Sequence, residues 1–332
     1  MGIFKKIEKL RRYSAFATGD FERIFEDLEV PPCPEVVTTL MRELDNPDIE
    51  IGEIVRILES DAALSARIIA TANSALYGLA SQVSSISKAV SLLGLKEIGN
   101  IALGYALVKA SRDPDRDLFD MRAYWSDTLM RAIFARALSA KSHLGEPEEA
   151  FAGALFQDIA MPVIMGQWFD VYARVFNSWI RQGGVLSRHE EEILSWTHAQ
   201  AGAWIAGKWE MPDILICAIG LHESPVEDIG RLGLDESSLL PVRLSSLLPS
   251  ALMAYGRREI GGAKMQAGDD EAAQADTALL VSEAQEMGIY RKALAELVAS
   301  SADLVEDLAL ALGVKTAGTG LYRATAELVE AA

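Results

Sequence analysis

The sequence predicts an all-α protein. Apolar residues recur at helical spacing, as in Ile51, Ile54 and Leu58, and the alternating pattern of a half-buried strand is absent throughout the chain. Half of the 332 residues are hydrophobic, which is enough for one large core or two moderate ones. We therefore expect amphipathic helices packed into a folded bundle rather than a disordered chain.

Charge and cysteine content exclude several classes of protein. The 31 Lys and Arg side chains against 48 Asp and Glu give a formal net charge of −17, which disfavours binding to a nucleic-acid backbone. The two cysteines, Cys33 and Cys217, provide no disulfide framework and fit a reducing compartment. The N-terminus lacks the apolar region of a secretory signal, and the longest uncharged stretch, residues 68–87, carries too many polar side chains to span a bilayer. We expect a cytoplasmic protein without a transmembrane segment.

Composition and pattern divide the chain into four parts. These are a basic amphipathic N-terminal helix (1–20), an N-terminal helical subdomain (21–112), a second helical bundle (113–260) and an acidic C-terminal helical extension (261–332). We expect the N-terminal helix to pack on its own domain, with a membrane surface or an acidic partner as the alternative. We expect the acidic extension to be a solvated helical cap, with a docking surface as the alternative.

Capping signals mark the helices of residues 21–112. Ser60 or Asp61 is the expected N-cap of a helix that ends within residues 73–78. A second, short helix is expected to begin at Ser85 or Ser87 and to end at Gly94, followed by a longer helix over residues 96–109.

Helical periodicity continues beyond the polar break at residues 112–117. It predicts five helices, at residues 124–140, 148–156, 171–181, 190–209 and 212–222. The Gly- and Asp-containing stretch at residues 261–270 is expected to be a loop, and helix resumes after it.

Motifs for nucleotide and zinc chemistry fail on inspection. Gly202–Lys208 matches the start of a phosphate-binding loop, but Trp209 replaces the required hydroxyl and no strand precedes it. His189 and Glu190 lack the second histidine of a metalloprotease, since Ile193 stands in its place. Residues 85–100 have the outline of a helix-turn-helix, but only Lys96 and Asn100 are available to contact DNA.

Four consecutive motifs resemble signatures of the HDOD family, a group of bacterial helical modules related to HD-domain phosphohydrolases. The motifs are PPCPEVV at 31–37, SDAALSARI at 60–68, ANSALYG at 72–78 and ISKAVSLLGL at 86–95, and a weaker resemblance continues to about residue 250. The resemblance implies an HD-like helical bundle with an N-terminal helical subdomain, and a role in bacterial signal transduction.

In the HD superfamily, His and Asp side chains on several helices hold one or two metals that activate water against a phosphoester. The resemblance places Asp127 at the first His position, Gln157 and Asp158 at the His-Asp pair, His198 at a later His, His222 and Glu223 at a His-His pair, and Ser246 at the late Asp. Gln157 and Ser246 cannot replace an imidazole or a carboxylate ligand, so the resemblance implies a broken metal set.

We therefore expect no catalytic residue, no nucleotide-binding residue and no cofactor. Six of these residues are expected to form a hydrogen-bonded relic pocket: Asp127, Gln157, Asp158, His198, His222 and Glu223. The alternative is a single Fe, Mn or Zn ion held by Asp158, His198 and His222, with Glu223 or Asp127 adding a carboxylate.

Other polar residues are interpreted as structural. We expect a set of motif residues to determine the fold through turn geometry and backbone hydrogen bonds: Asn73, Ser74, Tyr77, Gly78 and Gly94. Cys33 is expected to be a small packed side chain, and His143 and His189 are expected to face solvent.

The leading hypothesis is a non-catalytic bacterial signalling module that binds a signalling protein or a small ligand. The first alternative is a metal-dependent phosphohydrolase that uses Asp158, His198 and His222. The second is a DNA-binding regulator that uses residues 85–100. The partner and the upstream signal do not follow from the sequence.

Overall fold

A computed structural model describes residues 22–44, 46, 48–232, 236–261 and 271–331. Within these residues the regular structure is helical, apart from one isolated β-bridge between Arg116 and Phe119. The all-α prediction is confirmed. The predicted N-terminal helix at residues 1–20 and nearly all of the predicted loop at 261–270 lie outside the described residues.

Between residues 22 and 112, the described part of the chain contains six helices, which lie in the N-terminal subdomain predicted from the sequence. They are α1 (Glu22–Phe25), α2 (Glu35–Leu44), α3 (Ile51–Glu59), α4 (Ala62–Ala72), α5 (Ile86–Leu93) and α6 (Leu95–Ala110).

Ten helices follow between the polar break and residue 261. They are α7 (Met121–Ser142), α8 (Pro147–Phe156), α9 (Ala160–Gln167), α10 (Phe169–Gln182), α11 (Leu186–Leu194), α12 (His198–Lys208), α13 (Asp213–Leu221), α14 (Val226–Arg231), α15 (Glu236–Ser246) and α16 (Ala251–Gly261). The extension contains α17 (Glu271–Glu286), α18 (Arg291–Leu312) and α19 (Gly320–Ala331).

Local capping explains where the early helices begin and end. The Asp61 carboxylate accepts hydrogen bonds from the backbone N–H groups of Ala63 and Leu64, so Asp61 is the N-cap of α4. Ser85 caps α5 in the same way, and Gly94 ends that helix with a φ of +81°, a conformation that glycine adopts without strain. The predicted caps of these two helices are confirmed.

One predicted helix is divided in the structure, and one short helix was missed. The single helix expected over residues 190–209 is two helices, α11 and α12, because Ser195 adopts the left-handed conformation and Thr197 starts a new helix. Thr197 and Gln200 form a capping box, a signal that was present in the sequence. The short helix α9 was not predicted, because its residues are almost entirely apolar and show no amphipathic period.

The long helix α7 lies at the centre of the molecule. It packs against α8, α15, α16 and α18, and most of its side chains are buried. One continuous cluster of buried apolar residues runs from Phe25 to Val329. The extension therefore shares its core with the preceding helices, while the division at residues 112 and 260 stays a prediction.

None of the helices in the described ranges combines the length and the apolar character that a membrane crossing requires.

Close helix packing around α8 generates a prediction. A Cβ added at Gly153 would lie 2.9 Å from Ala218 Cβ and 3.0 Å from Val242 Cγ2, so we expect Gly153→Ala to push α13 and α15 away and to lower the free energy of unfolding by about 1–3 kcal/mol. Urea denaturation followed by circular dichroism measures the change. The control is Gly207→Ala, since Gly207 is also helical but has open space around it and should gain about 0.5–1 kcal/mol. Equal effects at both positions would contradict this packing argument.

Candidate functional site

Asp158, His198 and His222 meet at one buried point. His198 Nε2 lies 3.3 Å from Asp158 Oδ1 and 3.2 Å from His222 Nε2, and His222 Nε2 lies 3.7 Å from Asp158 Oδ1. Asp158 follows α8, His198 is the first residue of α12, and His222 follows α13. Three helix ends therefore bring together side chains that are distant in the sequence.

Both imidazoles are oriented by a second partner. His198 Nδ1 lies 2.8 Å from Glu190 Oε2, and the backbone N–H of His198 donates to Glu190 Oε1 at 2.9 Å. The Tyr172 hydroxyl also donates to Glu190. His222 Nδ1 lies 2.7 Å from the Ile219 carbonyl. Because each Nδ1 must donate to an oxygen, we assign Nδ1–H to both rings, so both Nε2 atoms point towards Asp158.

Opposite pKa shifts distinguish the two histidines. Burial alone would lower the pKa of His198, but the carboxylates of Glu190 and Glu223 and the hydrogen bond to Asp158 outweigh it and raise that pKa well above its usual value. Burial and the neighbouring His198 charge lower the pKa of His222 to about 4. His198 is therefore an imidazolium that donates from Nε2, and His222 is neutral and accepts.

The three converging atoms also have the spacing of ligands on a single metal ion. They all lie within 4.8 Å of one another, and two ligands bound at about 2.1 Å with tetrahedral angles lie about 3.4 Å apart. The oriented imidazoles match the usual arrangement around a metal-binding histidine. The donor set therefore fits one ion of the Fe, Mn or Zn type, with only three protein ligands.

Asp158 has a second partner that the sequence did not predict. Arg131, on α7, forms an ion pair through Nη1 with Asp158 Oδ2, and each side chain is only 11% exposed. Burial by itself raises the pKa of Asp158, but Arg131 and the two histidines hold it far below the usual range. Asp158 is therefore ionised, with a guanidinium on Oδ2 and the two imidazoles at Oδ1.

Gln157 and the serines near Ser246 form hydrogen bonds where the resemblance implied ligands. Gln157 is fully buried; its amide N–H donates to Asp158 Oδ2 at 3.4 Å, and its Oε1 accepts from the Ser245 hydroxyl at 3.2 Å. The Ser246 hydroxyl donates to the His222 carbonyl at 2.9 Å. These neutral groups contribute no charge to a second metal.

Asp127 lies apart from the three-residue cluster and serves another purpose. Its carboxylate accepts hydrogen bonds from the Ser250 hydroxyl at 2.7 Å and from the backbone N–H groups of Ala251 and Leu252 at 2.6 and 3.0 Å. The Tyr322 hydroxyl, on α19, donates to it at 2.6 Å. Asp127 therefore holds the first turn of α16 and ties the C-terminal helix to α7.

Glu223 lies beside the cluster. Its Oε2 accepts a hydrogen bond from the Ser187 backbone N–H at 2.7 Å. Burial raises its pKa, but the two histidines and the Ser187 hydrogen bond outweigh this and lower it. Glu223, Asp127, Arg131 and Asp158 line a cavity of about 20 Å³, and Glu223 and Arg131 also line an adjoining cavity of about 310 Å³.

The motif residues of the N-terminal subdomain make structural contacts. Asn73 joins the end of α4 to the following loop by exchanging two 2.8 Å hydrogen bonds with the Val83 backbone. The Tyr77 hydroxyl donates to Glu97 at 2.5 Å, and Glu97 pairs with Arg136 of α7 at 3.3 Å. These contacts connect the motif loop to the central helix.

Gly78 adopts the backbone conformation expected for a turn, whereas Ser74 does not form the expected hydrogen bonds. Gly78 has a φ of +53° and occupies the left-handed region that glycine tolerates. The Ser74 hydroxyl was expected to satisfy free backbone groups, but it is buried without a hydrogen-bond partner among the described residues. Its contribution is packing.

The two remaining histidines have different environments. His143 is exposed, with a left-handed φ of +57° at the end of α7, as expected. The expectation for His189 is wrong: it is 8% exposed, and its ring nitrogens lie 3.0 Å from the Ser178 hydroxyl and 3.0 Å from the Gly183 carbonyl. Because a carbonyl oxygen can only accept, Nε2–H of His189 donates to Gly183, and the ring fastens α11 to α10. Cys33 is half-buried, consistent with a packed side chain.

The predicted helix-turn-helix segment presents little to DNA. The Asn100 side chain is 8% exposed and donates to the Glu148 carbonyl at 2.8 Å. Lys96 lies 3.6 and 3.8 Å from Glu146 and Glu149. Of the two side chains named for DNA contact, one is therefore buried and the other is surrounded by carboxylates.

Sequence reasoning missed three residues of the site: Arg131, Glu190 and Tyr322. A signal existed for Arg131, because an arginine within the apolar run 129–135 needs a buried anionic partner. Nothing local marks Glu190, which is one of three consecutive glutamates, or Tyr322, which is distant from the site in sequence.

Comparison with known proteins places this geometry in a family. The model of the HDOD domain matches residues 30–225. The chain belongs to the HDOD family. The matched range contains all three residues of the cluster as well as the four motifs, whereas α14 to α19 lie beyond it.

Solved structures share this fold at low sequence identity. A candidate phosphohydrolase from Shewanella amazonensis SB2B is 22% identical with a TM-score of 0.64, over 89% of this chain and 99% of that one. An HDOD domain protein from Geobacter sulfurreducens is 20% identical with a TM-score of 0.57, also over 89% and 99%. A candidate signal transduction protein from Marinobacter aquaeolei VT8 is 24% identical with a TM-score of 0.58, over 93% of this chain and 66% of that one.

One curated relative is considerably longer than this chain. An uncharacterized protein of Treponema pallidum (strain Nichols) is 24% identical over 229 residues, which are 68% of this chain and 43% of the relative. The match therefore spans less than half the length of that relative.

The opposite shifts of the two histidines predict a pH dependence. The His222 pKa of about 4 lies below the usual value of about 6.5. Between these two pH values the unfolded chain binds a proton at His222 and the folded chain does not. Stability from His222 is lost as the pH falls from 6.5 to 4, by up to about 1.4 kcal/mol per pH unit. The raised pKa of His198 adds no slope there, because its contribution is complete below 6.5 and is lost only at higher pH.

The measurement is the free energy of unfolding in urea at several pH values. The wild-type curve should fall more steeply than that of His222→Gln between pH 6.5 and 4. His143→Gln, which removes an exposed histidine, should follow the wild type. Parallel curves for the wild type and His222→Gln would refute the assignment of His222 as a buried neutral ring.

The hydrogen bonds of Asp127 predict a large effect of a small change. Asp127→Asn removes acceptor capacity for the N–H groups of α16, so we expect a loss of about 2–3 kcal/mol of stability in urea denaturation. Tyr322→Phe, which removes one of the four bonds, should lose about 1 kcal/mol. The matched control is Asp120→Asn at the partly exposed N-cap of α7, where Asn is an equally good cap and little change is expected. A similar small change at Asp127 would contradict the proposed anchoring.

Proposed function

We propose that this protein is a non-catalytic module of bacterial signal transduction that acts by binding a protein or a small ligand. The observation that carries the proposal is that the carboxylates of the relic centre bind other groups of the protein. Asp158 is paired with Arg131, and Asp127 holds α16 and Tyr322. These carboxylates are committed to internal contacts rather than to a pair of metal ions.

The space around the cluster supports the same proposal. A cavity of about 20 Å³ beside Asp158 has room for about one water molecule, which is too little for a phosphoester at the cluster. The adjoining cavity of about 310 Å³ is at the lower end of the range for small-molecule pockets. It makes ligand recognition without hydrolysis a coherent use of this region.

Family membership supports the signalling part of the proposal. The HDOD match covers residues 30–225, and one structural neighbour carries a name that refers to signal transduction. A module of this type transmits a signal through a partner protein, because its own chemistry is reduced.

A second candidate function is a metal-dependent phosphohydrolase with one ion. The observation in its favour is the spacing of Asp158, His198 and His222, which fits three ligands of a single metal. Bound there, the ion would supply Lewis-acid activation of water. Against it stand the Arg131 ion pair and the small cavity.

An assay for phosphodiester hydrolysis separates the two functions. The purified protein is incubated with bis(p-nitrophenyl) phosphate and Mn²⁺, Fe²⁺ or Zn²⁺, with His198→Gln as the matched control. We expect equal, background rates for both proteins, because no ion is held in a reactive position. Metal-dependent turnover in the wild type that His198→Gln abolishes would establish the enzyme and refute the proposal.

A genetic test addresses signalling directly. In a strain that lacks the gene, we expect folded His198→Gln protein to complement the deletion as fully as the wild-type protein does, because the output depends on binding. Circular dichroism and protein level confirm that the variant is folded. Failure of a folded, normally abundant variant to complement would favour the enzyme.

A further inference from the structure

The ion pair between Arg131 and Asp158 has a consequence beyond the loss of catalysis. We propose that Arg131 is an internal cation that blocks a latent metal site formed by Asp158, His198 and His222, so that this site binds a divalent ion once Arg131 is removed. The proposal deepens the non-catalytic role and rests on it, since it gives the reason why the centre works without metal.

The two carboxylate oxygens of Asp158 contact different partners. Arg131 Nη1 contacts Oδ2 of Asp158, while Oδ1 of the same carboxylate lies 3.3 Å from His198 Nε2 and 3.7 Å from His222 Nε2. An ion held by the two imidazoles and Oδ1 would share its only carboxylate ligand with a guanidinium.

Burial makes the repulsion between the Arg131 guanidinium and a divalent ion strong. The side chains of His198 and His222 are fully buried, and those of Arg131 and Asp158 are 11% exposed, so solvent screens their charges poorly. Two like unit charges about 4 Å apart at an effective dielectric constant of 20 change an equilibrium by a factor on the order of a thousand. A divalent ion next to a fixed guanidinium is therefore strongly disfavoured.

The three ligand side chains are already in place, and His198 would release its Nε2 proton to solvent when an ion binds. Glu190 and the Ile219 carbonyl orient the two imidazoles with their Nε2 atoms towards Asp158. Glu190 and Glu223 add negative charge around the cluster. Removal of the Arg131 charge leaves this negative environment without its permanent cation, which favours a divalent ion.

The chain offers a matched control for the charge change. Arg188 is exposed and lines the same 310 Å³ cavity as Arg131, but the cluster's ion pairs involve Arg131 rather than Arg188. Arg131→Gln and Arg188→Gln change the net charge of the protein equally. Only the first removes the guanidinium from Asp158.

The test measures binding of Zn²⁺ and Mn²⁺ to chelator-treated full-length protein by isothermal titration calorimetry, with metal content checked by mass spectrometry. We expect Arg131→Gln to bind one equivalent with a dissociation constant at least about a hundredfold below that of the wild type. Arg188→Gln should behave as the wild type does, and the double variant Arg131→Gln, His198→Ala should lose the gained site.

Folding of the variant is covered by a second readout. If Arg131→Gln is unstable without metal, we expect Zn²⁺ to restore its circular dichroism spectrum and raise its Tm, because the ion replaces the missing cation. The proposal would be overturned if Arg131→Gln showed no metal binding and no metal-dependent folding. One tightly bound equivalent of metal in the wild type would also overturn it.

The result is distinguishable from failure of the proposed function. Metal-dependent turnover by the wild type would refute both proposals together. A catalytically inactive wild type combined with an Arg131→Gln variant that binds no metal would refute the internal-cation proposal alone. Metal uptake by Arg131→Gln without uptake by Arg188→Gln supports it.

Discussion

The buried ion pair between Arg131 and Asp158 is the interaction on which the rest of the centre depends. A carboxylate in the interior is costly unless a cation and hydrogen bonds compensate for the lost solvation. Arg131 supplies that cation at Oδ2, which keeps Asp158 ionised and lets Oδ1 accept from His198. The His198 charge, held also by Glu190, in turn keeps His222 neutral. Arg131 therefore acts on the cluster through Asp158, whereas Glu190 is the main cause of the raised pKa of His198.

The central helix α7 connects this cluster to the C-terminal extension. Asp127 and Arg131 are four residues apart and therefore lie on the same face of α7. Arg131 binds Asp158, whereas Asp127 binds the first turn of α16 and the Tyr322 hydroxyl of α19. The extension, which lies outside the matched HDOD range, is thus bound to the helix that carries Arg131. A change at the centre that moved α7 would reach both α16 and α19.

Two positions that the resemblance matched to metal ligands of the HD pattern make structural contacts in this HDOD protein. Asp127 holds a helix end, and Gln157 links Asp158 to Ser245 through its amide. Each group satisfies hydrogen bonds that would otherwise be lost in the interior. The buried polar groups of the centre therefore find partners within the protein itself.

The sequence alone determined the helical class and reduced the caps of α4 and α5 to Ser60 or Asp61 and Ser85 or Ser87, because periodicity and capping are local patterns. The resemblance to the HD pattern indicated Asp158, His198 and His222. The sequence failed at α9, whose apolar residues have no period, and at His189, whose partners Ser178 and Gly183 are set by the packing of α11 on α10. Only the tertiary structure decided that Arg131 pairs with Asp158 and that Asp127 meets Tyr322. The physical reason is that a buried charge takes its partner from whichever helix packs beside it, and that choice depends on the arrangement of the whole bundle.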